Sequence, residues 1–166
     1  MSALVYRRLN PSVAADVDSF VTVFRGTPSF VFLTEGRAPT EAEIFAVMSK
    51  VPSGCTSEQV FIHAVSADGV LCGCSVTVRA YPNPRAAYLA LLLMVESAQG
   101  KSLGQRVLRH IESEAKSWAC SSILGVVDSR NERALKFWLR EGFTERFRRE
   151  AQGFMGQAVG IEKNVL

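Results

Sequence analysis

Residues 91–104 read LLLMVESAQGKSLG, and this stretch decides how the chain folds. An apolar run ends at Met94, a short polar segment with a glycine follows, and apolar residues recur at helical spacing from Leu103 onward. The pattern predicts a strand, a tight loop and the start of a helix. Backbone N–H groups at such a helix start point outward at the positive end of the helix dipole, which suits an anionic ligand.

One alternative for this loop is the P-loop of nucleotide-binding enzymes, because the loop contains Gly100-Lys101-Ser102. The P-loop motif needs a further glycine five residues before Gly100, directly after a buried strand. Val95 occupies that position, so the motif is incomplete and the sequence argues against an NTPase. The strand, the loop and the helix start remain, with an anion as the expected ligand.

The same periodicity, followed in both directions, predicts the order β-α-α-β-β-β-α-β-α-β-β. We therefore expect one α/β domain over residues 1–166, with a mixed central sheet of about seven strands flanked by about four helices. Asp68-Gly69 predicts a hairpin, Thr40 with Glu43 predicts a capping box, and the segment 25–40 is irregular. The expected strands are 4–9, 59–65, 70–78, 86–94, 122–127, 143–148 and 157–163, and the expected helices are 10–24, 40–50, 103–118 and 128–142, the last capped by Asp128 and Ser129.

Composition narrows the classes of function. The 166 residues are 48% apolar and 21% charged with a net charge of +3, which is typical of a soluble globular domain and far from a nucleic-acid-binding protein. No signal peptide is recognisable, and the longest apolar run, residues 86–95, is too short to cross a bilayer. We therefore expect a cytoplasmic protein with no membrane or nucleic-acid partner. The four cysteines match no disulfide framework or metal-binding spacing, so we expect buried free thiols, with Cys72 and Cys74 on one face of a strand.

Two blocks of the sequence resemble the signature motifs of the GCN5-related N-acetyltransferase (GNAT) superfamily. The first motif, Gln/Arg-x-x-Gly-x-Gly/Ala after a strand, corresponds to Gln99, Ser102 and Gly104, with serine in place of the first glycine. The second, Asn-x-x-Ala-x-x-Phe-Tyr-x-x-x-Gly-Phe, is matched within NERALKFWLREGF, residues 131–143. The helix and strand expected between the blocks, and the order of elements along nearly the whole chain, also resemble this family.

The resemblance implies an N-acetyltransferase that uses acetyl-CoA as cosubstrate. It implies transfer of the acetyl group to a primary amine of a small molecule or peptide, by direct attack in a ternary complex. The loop would bind the pyrophosphate, the strand edge at 94–96 would pair with pantetheine, and the Met94 N–H would polarise the thioester carbonyl. The cofactor-binding residues implied in this way are Met94, Val95, Glu96, Gln99, Gly100, Lys101, Ser102, Leu103, Gly104, Asn131 and Trp138.

Three positions depart from the family pattern. Ser102 replaces the first glycine of the loop, and Trp138 replaces the tyrosine that often protonates the leaving thiolate. Tyr88 stands where histone acetyltransferases of the superfamily carry a glutamate base. We interpret Tyr88 as a candidate catalytic residue acting through water, with plain packing as the alternative.

Other functions and contacts stay open on sequence alone. His63 is expected to be a core histidine, and Glu35 falls in the region that commonly forms the acceptor wall. A CoA-binding regulatory module with weak catalysis is the alternative to an enzyme. Dimers are common among proteins of this family, so a homodimer stays open as the assembly. The sequence does not identify the amine acceptor.

Overall fold

A computed structural model describes residues 2–28 and 36–166, and the predicted order of elements is confirmed. Glu35 and much of the irregular segment 25–40 lie outside the described residues. The strands are β1 (Leu4–Arg8), β2 (Val60–Ala67), β3 (Val70–Arg79), β4 (Ala86–Met94), β5 (Ser122–Asp128), β6 (Thr144–Arg149) and β7 (Ala158–Asn164). The helices are α1 (Ala14–Arg25), α2 (Glu41–Ser49), α3 (Leu103–Ser117) and α4 (Glu132–Arg140), with short 3-10 turns at Ser57–Gln59 and Glu96–Ala98.

The seven strands form one mixed sheet in the order β1-β2-β3-β4-β5-β7-β6. Every neighbouring pair is antiparallel except β4 and β5, which run parallel. A parallel pair needs a crossover connection, and α3 supplies it between these two strands. This topology places the end of β4 and the start of α3 at the centre of the sheet.

Two apolar layers cover the two faces of the sheet. One layer contains the buried face of α3, including Val107, Leu108 and Ile111, packed with Trp138 and Phe143. The other contains the buried faces of α1 and α2, including Phe20 and Met48. Among residues 2–28 and 36–166, no helix is long and apolar enough to span a membrane.

The prediction that Cys72 and Cys74 share a face is wrong. The Cys72 side chain lies in the α3 layer and the Cys74 side chain lies in the α1–α2 layer. The register of β2 against β3 shifts here, because Val65 pairs with Gly73 whereas Ser66 pairs with Leu71. Such a bulge inserts an extra residue and breaks the simple alternation of side chains. All four cysteines are free thiols.

Turns and caps follow the sequence signals with one exception. The hairpin turn at Asp68 (φ 50°) and Gly69 (φ 80°) is present, and the Thr40 capping box is complete. The expected caps Asp128 and Ser129 are wrong, because β5 continues through Asp128 and Asn131 caps α4. The Asp128 carboxylate instead accepts hydrogen bonds from the N–H groups of Arg130, Met155 and Gly156, at 2.9, 3.0 and 3.1 Å.

His63 is a buried histidine beneath α3. Because its side chain is buried, we predict that the protein loses stability in acid. Burial, then the neighbouring His110 and Arg8, lower the pKa of His63 to about 4. Because the ordinary value is near 6.5, the unfolded state binds more protons than the native state between about pH 4 and 6.5. The free energy of unfolding should therefore fall as the pH falls through that window, by up to about 3 kcal/mol at 1.36 kcal/mol per unit.

The measurement is urea denaturation at pH 7, 5.5 and 4.5. The Glu114 carboxylate lies 3.9 Å from His63 Nε2, and its own pKa is raised by burial, so it reduces the slope. Tyr6, stacked on His110 with ring centroids 3.7 Å apart, is a further titratable group near this side chain. His63→Gln should flatten the pH dependence, and an unchanged slope in that variant would assign the effect to other groups.

Candidate active site

A gap between β4 and β5 forms the centre of the candidate site. In the described part of the chain, the two strands pair at three positions, Ala86–Ser122, Ala87–Ile123 and Tyr88–Leu124. Beyond Tyr88 the strands part, although β4 runs on to Met94 and β5 runs on to Asp128. The gap therefore has two strand edges as its walls.

Two residues of β4 direct their backbone polar groups toward this gap. Val95 N–H donates to Cys72 O at 2.9 Å, which continues the antiparallel ladder with β3. Because hydrogen-bonded and non-hydrogen-bonded pairs alternate in such a ladder, Leu92 and Met94 direct their N–H and C=O groups away from β3. An extended ligand in the gap could pair with these groups as an added strand would.

The opposite wall is the edge of β5. Ser129 N–H donates to Gln157 O at 2.8 Å, in register with the β5–β7 ladder. The alternation then turns the backbone of Val126 toward β4. At the point where the strands part, Gly125 lies against Leu89, and a Cβ at Gly125 would stand 3.4 Å from Leu89 O. A Cβ at that distance makes an ordinary contact, so the two strands lie close together here without requiring a glycine.

The mouth of the gap leads into the loop that begins α3. Gln99 Nε2 donates to Met94 O at 2.9 Å and so fixes the loop to the end of β4. Gly100 (φ 75°) and Ser102 (φ 60°) both have left-handed backbones, and Lys101 between them is exposed. The first N–H groups of α3 have no acceptor within the helix, and the Ser102 side chain does not cap them. This arrangement can hold an anion.

Among the predicted strand-edge residues 94–96, Val95 and Glu96 differ from Met94, because their backbone N–H groups form hydrogen bonds within the protein. Val95 N–H donates to Cys72 O, and Glu96 N–H donates to Gly26 O at 2.8 Å. Their carbonyls accept from Ala98 and Gln99 in the short 3-10 turn. Of residues 94–96, Met94 is therefore the one whose backbone faces the gap.

Helix α4 closes the α3 side of the site. Asn131 Oδ1 accepts from Ala134 N–H at 3.2 Å, so this side chain orders the start of α4. The Phe137 ring lies close to Gly104, where an added Cβ would stand 3.8 Å from it. Trp138 is 9% exposed and packs edge to face on Phe137 and Phe143. Leu103 is buried in the same layer.

Tyr88 lies at the vertex of the gap, where the last β4–β5 pair forms. Its ring packs edge to face on Tyr81, with centroids 5.5 Å apart, in the α1–α2 layer. Burial, and then the proximity of Tyr81, raise the pKa of the Tyr88 phenol. Six residues, or roughly 20 Å of extended strand, separate Tyr88 from Met94. The proton-relay role of Tyr88 stays a prediction.

The left-handed backbone of Ser102 gives a stability prediction. An L-residue in this conformation is strained, whereas glycine adopts it freely. We expect Ser102→Gly to raise the free energy of unfolding by about 0.5–1 kcal/mol in urea denaturation. Ser113→Gly, in the middle of α3, is the matched control and should lower it by roughly 0.5 kcal/mol. A loss of stability in both variants would show that Ser102 is not strained.

Sequence reasoning did not find Leu92 or Gly125 as parts of the site. Nothing in the run of apolar residues 86–94 marks where β4 leaves β5, so the length of the gap between the two strands could not be predicted from the sequence. The register shift opposite Val76 and Thr77 leaves Ala90 without a partner on β3, and such a shift has no signal in an alternating sequence. The glycine in SILGVV was the one available hint of close approach.

Comparison with known proteins identifies the class. The acetyltransferase (GNAT) family profile matches residues 30–143, and the chain therefore belongs to this family. Enzymes of this family use acetyl-CoA as cosubstrate and act on amines. No curated protein matches the chain.

Solved structures share the fold at low sequence identity. An acetyltransferase from Thermus thermophilus is 19% identical with a TM-score of 0.80, and the match covers 98% of this chain and 97% of that one. The ribosomal-protein-S18-alanine N-acetyltransferase from Escherichia coli is 13% identical with a TM-score of 0.71, covering 98% and 94%. PaiA N-acetyltransferase from Thermoplasma acidophilum, solved in complex with coenzyme A, is 16% identical with a TM-score of 0.70, covering 98% and 99%.

Proposed function

We propose that this protein transfers the acetyl group of acetyl-CoA to a primary amine by direct attack in a ternary complex. The observation that carries the proposal is the open β4 edge, which leads straight into a helix start suited to an anion. Acetyl-CoA combines an arm containing amides with a pyrophosphate. The backbone of Leu92 and Met94 fits the arm, and the loop Gln99–Gly104 fits the phosphates.

The chain's own groups would act mainly by orientation and electrostatics. An N–H of the β4 edge, at Met94 or at the deeper Leu92, would donate to the thioester oxygen and stabilise the negative charge that develops there. The amine nitrogen would bond to the carbonyl carbon and the carbon–sulfur bond would break, so that coenzyme A leaves as its thiolate. The nitrogen would lose its extra proton to water, which leaves a neutral amide. Trp138 would border the arm and Asn131 would hold α4 in place.

Direct attack is favoured over a covalent acetyl-enzyme because the thiols are unsuited to attack. Cys72, Cys74 and Cys120 are buried, and the half-buried Cys55 packs against the α1–α2 layer ahead of β2. Burial raises the pKa of the thiols of Cys72 and Cys74, which disfavours the reactive thiolate. An indole N–H is no acid, so Trp138 would not protonate the leaving group; a thiolate with a pKa of about 8.5 can leave near neutrality without help.

The expected acceptor is an amine of lowered pKa, such as an α-amine. A lysine-like amine with a pKa of about 10.4 costs about 4.6 kcal/mol to deprotonate at pH 7, whereas an α-amine of pKa about 7.7 costs about 1 kcal/mol. The gap offers no carboxylate base at the position of Tyr88 to supply the larger amount. We therefore expect kcat/KM to rise above neutral pH and to favour α-amines over lysine side chains.

The experiment is acetyl transfer to a panel of amines, measured from pH 6 to 9. Matched peptides, one with a free α-amine and a blocked lysine and one with the reverse, separate the two acceptors within one sequence. A flat pH profile, or a preference for the lysine amine, would indicate a strong base elsewhere in the site. A homodimer stays a prediction and would be tested by the mass of the protein in solution.

A regulatory CoA-binding module is the second candidate function. Trp138 at the position of the usual acid and the absent glutamate at Tyr88 favour it. Both candidates bind acetyl-CoA, so binding alone does not separate them. Turnover with the amine panel does: tight binding without transfer to any amine would support the regulatory module.

A further inference from the structure

A buried carboxylate, Glu141, lies beside the first two turns of α3, which directly follow the loop Gln99–Gly104. Its side chain is 3% exposed and follows directly on the last residue of α4. Gln105 Nε2 donates to its two oxygens at 3.2 and 3.1 Å, and Arg109 Nη2 donates at 2.7 Å. Gln105 lies in the first turn of α3 and Arg109 in the second, so Glu141 binds the start of α3 to the end of α4.

The contacts of Arg109 extend this connection to β7. Arg109 Nη1 donates to both oxygens of Glu112 at 2.8 and 3.0 Å, and Lys163 Nζ also donates to Glu112. Two carboxylates and two cations thus join α3, the end of α4 and β7, and the exposed Arg140 adds a third cation 3.6 Å from Glu141 Oε1. The connection lies on the side of α3 that faces α4, next to the Gly104–Phe137 contact.

The place of Glu141 is unfavourable for the stability of α4 itself. The C-terminal end of a helix carries partial negative charge, and a carboxylate there opposes the dipole. Removing a carboxylate from water is also costly, and buried ion pairs are often no more stable than apolar replacements. The stability of α4 therefore does not account for a buried glutamate at this position.

We propose that Glu141 is a positioning residue for acetyl-CoA, and this inference rests on the proposed function. Through Gln105 and Arg109, the carboxylate fixes how the first turns of α3 are rotated about the helix axis and how closely they pack against the end of α4. Those turns carry the N–H groups that would face the pyrophosphate, whereas Leu92 and Met94 belong to β4, a strand that is ordered by its pairing with β3. Loss of Glu141 should therefore weaken binding of the phosphates and leave binding of the pantetheine arm intact.

The test compares two acetyl donors in Glu141→Gln and Glu141→Leu. Acetyl-CoA carries the pyrophosphate, and S-acetylpantetheine has the same thioester arm without it. In both variants we expect kcat/KM for acetyl-CoA to fall about tenfold, through KM, and kcat/KM for S-acetylpantetheine to stay within about twofold. Calorimetry with coenzyme A should show a matching rise in Kd.

The control is Glu162→Gln, which removes the same charge from the ion pair between Arg146 on β6 and Glu162 on β7, a pair that includes none of the partners of Glu141. In this variant, kcat/KM should stay unchanged for both acetyl donors. Equal losses with both donors in the Glu141 variants, or no loss with either, would overturn the positioning role. Failure of the proposed function is distinguishable, because the unmodified protein would then neither bind coenzyme A nor transfer acetyl groups.

Discussion

Replacing Gly104 by aspartate is expected to weaken acetyl-CoA binding by roughly a hundredfold while the fold persists. A Cβ at Gly104 would stand 3.7 Å from Met94 Cγ and 3.8 Å from the Phe137 ring, which is ordinary contact distance. An acidic residue in the first turn also suits the helix dipole. The new carboxylate, however, would lie beside the expected pyrophosphate. At about 5 Å and an effective dielectric constant of about 20, two like charges repel by about 3 kcal/mol, or roughly a hundredfold in affinity.

Gly104→Asn is the matched control for this prediction, because it has nearly the same volume and no charge. Calorimetry should show a much smaller loss of acetyl-CoA affinity in Gly104→Asn than in Gly104→Asp. Circular dichroism and thermal unfolding should be similar for the two. Equal affinity in the aspartate variant and the unmodified protein would mean that the phosphates bind elsewhere, and equal losses in both variants would indicate a steric cause.

Trp138→Ala is expected to lower the free energy of unfolding by roughly 3–5 kcal/mol, because it deletes a large buried ring. Trp138 is 9% exposed, and its ring centroid lies 4.9 Å from that of Phe137 and 5.2 Å from that of Phe143. Urea denaturation measures the change. A loss below about 1 kcal/mol would show that the ring contributes little to this layer, since surface changes fall in that range.

The chemical role of Trp138 is tested separately with Trp138→Tyr and Trp138→Phe, which differ from each other by one hydroxyl group. If Trp138 serves as a wall, the two variants should turn over within about tenfold of each other, an interval of about 1.4 kcal/mol. A hundredfold advantage of the tyrosine variant would show that a proton donor at this position matters. The leaving thiolate would then depend on protonation by the residue at position 138.

Much of the fold was predictable because its elements carry strong local signals. The Gln99–Gly104 loop, the Asp68-Gly69 turn and the Thr40 capping box are each encoded by a few adjacent residues, and all three are present. Gly142 also has the left-handed backbone (φ 99°) expected after a helix. The Phe143 N–H donates to Trp138 O there, and the Gly142 N–H donates to Leu139 O. The resemblance to the family then assembled these elements into one domain.

The features that the sequence did not reveal depend on contacts between distant residues. The bulge at Cys72 is set by pairing with β2, and it sends Cys72 and Cys74 to opposite faces. Asp128 is of a residue type that often caps helices, yet its carboxylate accepts hydrogen bonds from the backbone N–H groups of residues 155 and 156 instead. The Glu141 side chain is separated by 36 residues from Gln105, and no periodicity connects them. Local patterns cannot show such partners.

The parting of β4 and β5 has a consequence for how the molecule responds to its cosubstrate. Four strands lie on one side of the gap and three on the other, and three residue pairs next to Tyr88 connect the two halves. A ligand that lies along both edges would supply part of the missing ladder. Hydrogen exchange should then slow across both halves together when coenzyme A is added, not in the loop alone. Binding of the cosubstrate would thus stiffen the sheet across the gap, and release of the product would reverse this.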